Sequence, residues 1–276
     1  MQPVTGQPAS PHATRLVLCM KWGSKYPAEY VNRLQRMVAR HTSPPVQLVC
    51  FCDDASGIDP AVRTLPLPEL GCPEPVRTRG KWRKLALWGA ALADQQGPAL
   101  FVDLDSVIVG SLDPYFSHGP ADAVILERNW ARPLSGLGQT SVFRYPIGGR
   151  PDILERFRRN PQAIADRFRY EQHFVSHCLG EQLRFWPRGW TRHFRLHCLG
   201  PVPLRYLRPA RLPAGSRIIT FPGGPNPADV VAGRWRPDSP EYAGRRAHLG
   251  RHLSRADWGG LRRFAMPVPW IEEHWR

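Results

Sequence analysis

Residues 100–110 read LFVDLDSVIVG. The apolar run from Leu100 to Val102 drives into two carboxylates, Asp103 and Asp105, and then turns apolar again. Gly97-Pro98 stops whatever precedes it, and a short, fully apolar run bounded in this way predicts a buried strand. In an extended chain, residues i and i+2 point to the same side. The two acids are therefore expected to converge at the carboxyl end of that strand. Two like charges held close repel unless something cationic lies between them. Hard oxygen donors suit Mg²⁺ or Mn²⁺, which are held by one or two carboxylates and completed by substrate phosphates. The competing reading gives one aspartate to the next turn and pairs the other with an arginine.

Outward from this stretch, strands and helices alternate. RLVLCM (Arg15 to Met20) and VQLVCFC (Val46 to Cys52) read as buried strands, with a third near Val62 to Leu67. Between the first two, Val31, Leu34 and Val38 recur at helical spacing over 28–40, and SPP ends that helix. Leu85, Trp88 and Leu92 predict a second helix from Lys81 to Gln96. Strands apolar throughout and separated by helices indicate an α/β fold with a mostly parallel central sheet covered on both faces, a Rossmann-like nucleotide-binding half. Ligands in such sheets bind beyond the carboxyl ends of the strands. Further strands are expected at 123–126, 140–145, 183–186 and 217–221, with helices from Pro151 and over 162–179. No internal repeat or Ser/Gly linker divides the chain. The expected organisation is a flexible lead over 1–14 and one domain over 15–276, with a nucleotide-binding half at 15–110 and an acceptor half at 111–276.

The totals narrow the classes. The chain has 276 residues and a net charge of +15 carried by only four lysines, the rest being arginine. A basic surface favours anionic partners, either nucleotides or an acidic membrane face. No motif that reads nucleic acid is present, so nucleic acid is not an expected partner. No apolar run reaches the ~18 residues of a membrane span. The N-terminus lacks the apolar centre of a secretory signal. Cys50 and Cys52 flank one Phe inside a strand, which is not zinc-knuckle spacing, and the six cysteines read as reduced thiols of a cytoplasmic protein.

Haloacid-dehalogenase phosphohydrolases also end an apolar strand on Asp-x-Asp, but that strand opens their domain and a lysine follows; here no lysine follows Lys84. A nucleotidyltransferase would need a Gly-rich basic loop after the first strand, and WGSKYP is a poor version of it. The segments KWGSKYPAEYVNRL, CFCDDASGI, KWRKLALW, ALFVDLDSVIVGSLD, YEQHF, FRLHCLG and IITFPGGPNP occur in an order that resembles bacterial nucleotide-sugar glycosyltransferases of GT-A fold. These are related to the retaining glycogenin and lipopolysaccharide-galactosyltransferase type, and the similarity runs over roughly residues 15–230.

The resemblance implies a metal-dependent transfer of sugar from a nucleotide-diphosphate sugar, most simply a UDP-sugar, to a saccharide, lipid or protein hydroxyl. It implies Mn²⁺ or Mg²⁺ on Asp103 and Asp105. Lys21, Trp22, Tyr26 and Asp53 are expected around the base and ribose, and Lys84 at the diphosphate or sugar. Gln139, Thr140 and Ser141 align with a segment beside the donor sugar. Glu171 and Gln172 match an acidic–Gln pair placed near the sugar hydroxyls and anomeric carbon. One motif departs. Where the family carries Phe-His-Gly and then Lys-Pro, this chain has Phe221-Pro222-Gly223 and Asn226-Pro227. Proline offers no metal-binding side chain and Asn no charge, although backbone N–H groups at Gly223 and Gly224 can approach a phosphate. His193 and His197 are the histidines available as substitutes. A nucleotide-sugar binding protein without catalysis is the alternative this departure raises.

Overall fold

The computed structural model describes residues 14–240 and 242–276. Apart from Thr14, the expected N-terminal lead lies outside them. The chain opens with β1 (Arg15–Lys21), α1 (Ala28–His41), β2 (Val46–Cys52) and β3 (Arg63–Pro66). A 3₁₀ segment, Trp82–Trp88, leads to β4 (Pro98–Val102), then β5 (Ser106–Ile108) and α2 (Asp113–Ser117). Next come β6 (Ile125–Arg128), β7 (Gly138–Pro146), α3 (Pro151–Arg159), α4 (Pro161–Arg167) and α5 (Glu171–Leu179). The last part holds β8 (Arg184–Phe185), β9 (Thr191–His193), a π-helical turn at Phe194–Cys198, α6 (Val202–Arg205) and β10 (Ile218–Thr220). Four short helices finish it: α7 (Pro227–Val231), α8 (Arg245–Leu253), α9 (Trp258–Leu261) and α10 (Pro269–His274).

Among the described residues, seven strands form one sheet in the order β3-β2-β1-β4-β7-β6-β8. The pairs β3–β2, β2–β1, β1–β4 and β6–β8 are parallel, and β7 runs antiparallel to both its neighbours. The fold class expected from the sequence is therefore observed. A smaller sheet, β5-β10-β9, stands beside it. Alternation along β1 sends Val17 and Cys19 to one core layer and Leu16, Leu18 and Met20 to the other. The first layer takes Val31, Leu34 and Val38 of α1, and the second takes Leu85 and Trp88 of the 3₁₀ segment. From β1 the strand order goes one way to β2 and the other to β4. The crevice at the carboxyl ends of β1 and β4 is thus the switch point where such sheets bind ligands.

Two expected helices are corrected. The 81–96 helix is a 3₁₀ segment of seven residues, in which Trp82, Lys84, Leu85, Ala86, Leu87 and Trp88 are buried and Arg83 is half-buried. Gly89 then takes an extended conformation (φ −60°, ψ 160°) and ends it. Lys81 and Lys84 consequently do not share a face, since Lys81 is exposed and Lys84 buried. The 162–179 helix is two helices, broken at Phe168, which is extended (φ −110°, ψ 119°). That break makes Glu171 the first residue of α5 and brings its carboxylate inward.

Candidate active site

The two aspartates stand where β4 leaves the large sheet. The strand stops at Val102; Asp103 N–H donates to Ser141 O at 2.9 Å, and Ser106 N–H to Asp103 O at 3.1 Å. Asp103–Asp105 is therefore a turn between β4 and β5, not the extended end of a strand, and the i, i+2 argument from the sequence is replaced by this turn. The Asp103 carboxylate accepts a hydrogen bond from Lys84 Nζ at 2.6 Å, and Lys84 also donates to Thr140 O at 3.2 Å. Asp105 accepts from the Tyr26 hydroxyl at 2.7 Å. Burial, opposed by Lys84 and aided by the charge of Asp105, raises the Asp103 pKa to about 6. Burial works against the charge on Lys84, but Asp103, Glu171 and Asp105 hold its pKa above the ordinary lysine value. Burial and the neighbouring Asp105 push the Tyr26 phenol well up.

The other expected residues fall into connected groups. Thr140 Oγ1 donates to Glu171 Oε1 at 2.9 Å, and Gln139 Nε2 to Ser141 Oγ at 3.2 Å. Thus β7, α5, the 3₁₀ segment and the Asp turn share one polar network around Lys84. Gln172, beside Glu171, is half-buried at the start of α5. Lys21 is buried at the end of β1 and donates to Asp54 O at 3.1 Å; Trp22 next to it is half-buried. Asp53 Oδ2 accepts from Gly23 N–H at 2.7 Å, so its carboxylate shapes the loop after β1, and that bond holds its pKa below the usual carboxylate range. Gly223 has φ +75° and Gly224 φ +73°, the left-handed region that glycine permits, in the loop after β10. The register Ser106↔Thr220 leads that loop past the Asp turn.

The substitutes considered for the missing histidine do not join the carboxylates. His193 Nδ1 accepts from Arg195 N–H at 3.1 Å, and His197 Nδ1 accepts from His193 N–H at 2.9 Å. Among the described residues, no group of three or more His, Cys, Asp or Glu side chains is placed to hold a metal. Asn226 caps α7 in a reciprocal arrangement with Asp229.

One part of the site went unread in the sequence. Glu127 pairs with Gln139 across β6 and β7. Both are buried, and Glu127 Oε2, Gln139 Oε1 and Trp130 Nε1 have no hydrogen-bond partner among the described residues. Trp130 meets His193 edge-on at 5.3 Å. Burial raises the Glu127 pKa to about 8. Buried polar atoms without partners are rare in native proteins. The available signal was an acid closing the apolar run AVILE, the same signal that drew attention to Asp103.

No protein-family model matches the chain, and no curated protein sequence does. Solved structures do: the fold is one shared by glycosyltransferases. A galactosyltransferase, LgtC, solved in complex with donor and acceptor sugar analogues, is similar over 93% of this chain and 99% of its own, with a TM-score of 0.56 and 11% identity. The bifunctional glycosyltransferase WbbM is similar over 80% of this chain and 48% of its own (TM-score 0.54, 13% identity). GlyE of Streptococcus pneumoniae is similar over 90% of this chain and 63% of its own (TM-score 0.53, 12% identity). At these identities the likeness is one of fold.

Proposed function

We propose that this protein is a glycosyltransferase that moves a sugar from a nucleotide-diphosphate sugar, most simply a UDP-sugar, to an acceptor hydroxyl with retention of anomeric configuration. The observation that carries the reading is the Lys84–Asp103–Asp105–Tyr26 array. It stands at the switch point of a sheet whose fold solved glycosyltransferases share. We take residues 15–276 as one catalytic unit working in the cytoplasm, in keeping with six free cysteines.

The donor set fits a hard divalent ion. Lys84 occupies Asp103 Oδ1 and the Tyr26 hydroxyl Asp105 Oδ2, which leaves the second oxygen of each carboxylate for a hard cation, and the substrate diphosphate would complete a two-carboxylate site. Asp103 and Asp105 would hold Mn²⁺ or Mg²⁺, which as a Lewis acid stabilises charge on the departing diphosphate. Lys84 keeps its proton against burial and adds fixed positive charge where the leaving group develops its own. Tyr26, tied to Asp105, and Trp22 provide ring faces for the base, and Lys21 and Asp53 the polar contacts to base and ribose. Gln139, Thr140, Ser141 and Glu171 form the wall for sugar hydroxyls, with Gln172 at the anomeric carbon. The backbone N–H of Gly223 takes the place of the absent basic residue at the phosphate, the Gly224 N–H being donated to Phe221 O at 3.2 Å. Glu127 with Gln139 adds a protonated carboxyl and an amide to the sugar-binding wall.

A second reading has one observation in its favour. Two of the three Lys84 ammonium donors go to Asp103 and Thr140, and Pro222 and Asn226 replace the usual ligand and cation. This is what a nucleotide-sugar binder without turnover would show. Incubation with a panel of nucleotide sugars and Mn²⁺, following nucleoside diphosphate release and thermal shift, separates the two. Transfer predicts metal-dependent release that falls about 10²–10³-fold in Asp103→Asn and Asp105→Asn. A thermal shift without release assigns binding alone, and full activity in both variants removes the metal role.

A further inference from the structure

The small sheet brings one more segment to the end of the molecule where the Asp turn stands. β10 pairs with β5 through Thr220↔Ser106 and with β9 through Thr220↔His193. Ser106 directly follows the Asp turn, Thr220 leads into the loop that holds Gly223, and His193 leads into the π-helical turn Phe194–Cys198. All three segments therefore meet the sheet at the same end. The rings of Phe194 and Phe221 stack at 4.7 Å and hold the π-helical turn against the glycine loop. His193 Nδ1 fixes the start of that turn by accepting from Arg195 N–H.

This arrangement lays the Arg195 side chain on the loop. A Cβ built on Gly223 would stand 3.7 Å from Arg195 Nη2. The side chain is half-buried, and Nε is buried without a hydrogen-bond partner. Among the described residues the guanidinium makes no ion pair either. Its neighbours offer no counter-charge. Arg205 is close enough for the two charges to repel, and burial, Arg195 and His197 hold the His193 ring neutral, with a pKa of about 3. Arg144 shows the contrast, since both its Nη groups go to backbone carbonyls and serve the fold. An arginine stays protonated at any ordinary pH, and a partly buried cation left unpaired costs stability. Arg195 is placed as a residue that waits for an anion.

We infer that Arg195 binds the diphosphate of the nucleotide, reaching it across Gly223. The identity of the anion rests on the sugar-transfer reading; the presence of an anion site at Arg195 does not. The Gly223 N–H brings a dipole to the phosphates, and Arg195 brings a full charge whose planar fork matches two phosphate oxygens. Asn226, occupied in capping α7, supplies neither. Departure of the sugar leaves an added negative charge on the diphosphate, so this contact is stronger in the transition state than in the bound donor.

The test uses the full-length protein with Arg195→Met and Arg195→Lys. Calorimetric titration with inorganic pyrophosphate in EDTA reads the anion site without metal, base or sugar. Arg195→Met is expected to weaken pyrophosphate binding about tenfold to a hundredfold, and Arg195→Lys to keep part of it. Asp103→Asn is expected to retain it, because the carboxylates take no part without metal. The melting temperature of Arg195→Met without ligand is expected to equal or exceed the parent's, since no bond within the fold is lost. With a nucleotide sugar that the parent turns over in Mn²⁺, Arg195→Met is expected to lower kcat about 10²–10³-fold and to change KM much less. No pyrophosphate binding by the parent, parent-like binding by Arg195→Met, or a melting temperature lowered in step with the lost binding overturns the inference. Turnover by the parent with an unchanged kcat in Arg195→Met overturns it while leaving sugar transfer standing. Pyrophosphate binding that Arg195→Met loses, with no nucleotide sugar turned over by the parent, upholds the anion site and counts against sugar transfer instead.

Discussion

Replacing Glu127 by Gln tests the least expected part of the site with a number attached. Glu127 lies on β6 among Arg128, Thr191, Arg192 and Tyr115, and is 4% exposed. Its pKa moves from an ordinary 4.5 to about 8, chiefly through burial. Between those pH values the folded protein holds a proton that the unfolded chain has lost. Stability is therefore greatest below 4.5, falls as pH rises through the interval and levels off above 8. At roughly 1.4 kcal/mol per pH unit, the full interval corresponds to on the order of 5 kcal/mol. Gln keeps the shape and neutrality of the protonated acid and does not titrate. Urea unfolding of parent and variant from pH 5 to 9 isolates the effect, because other titrating groups cancel in the difference. The two curves are expected to lie close at pH 5 and to diverge, with the variant the more stable, by several kcal/mol at pH 9. A difference that stays constant across this range within about 0.5 kcal/mol would refute a buried, protonated Glu127.

Lys84→Met strands the half-buried Asp103 carboxylate and is expected to cost about 1.5–3 kcal/mol in urea unfolding; adding Asp103→Asn restores most of that stability but no nucleotide release. Arg144 is 1% exposed and donates to the carbonyls of Tyr115, Phe116 and Pro120. Arg144→Met takes this donor from the Tyr115 and Phe116 carbonyls, while Pro120 O keeps the Ala123 N–H, and a loss of about 2–4 kcal/mol should appear as a lowered melting temperature. Gly148 has φ +73°, and a Cβ there would stand 2.5 Å from Ala90 O, so Gly148→Ala should destabilise by about 2 kcal/mol or more in the same assay. Tyr26→Phe removes the bond to Asp105 and is expected to weaken Mn²⁺-dependent thermal stabilisation by nucleotide while leaving the melting temperature without ligand within a few degrees of the parent's.

The order of the strands in the first hundred residues and the α/β class were legible in the chain itself. A short apolar run can only be a buried strand when helices must cover both its faces, and a carboxylate closing such a run has few places to go. The helix over 81–96 was misread because Trp82 and residues 84–88 are all buried, so no polar stripe marked how short the helical segment is. The single helix over 162–179 was misread because the break at Phe168 is made by packing, with no glycine or proline to announce it. Tertiary structure alone decided the partners. Lys84 meets Asp103 across 19 residues, Tyr26 meets Asp105 across 79, and Glu127 comes beside Gln139 through a bulged pairing of β6 and β7. Spacing along a sequence fixes which face a side chain takes; which charge stands opposite it depends on how strands distant in the chain come into register.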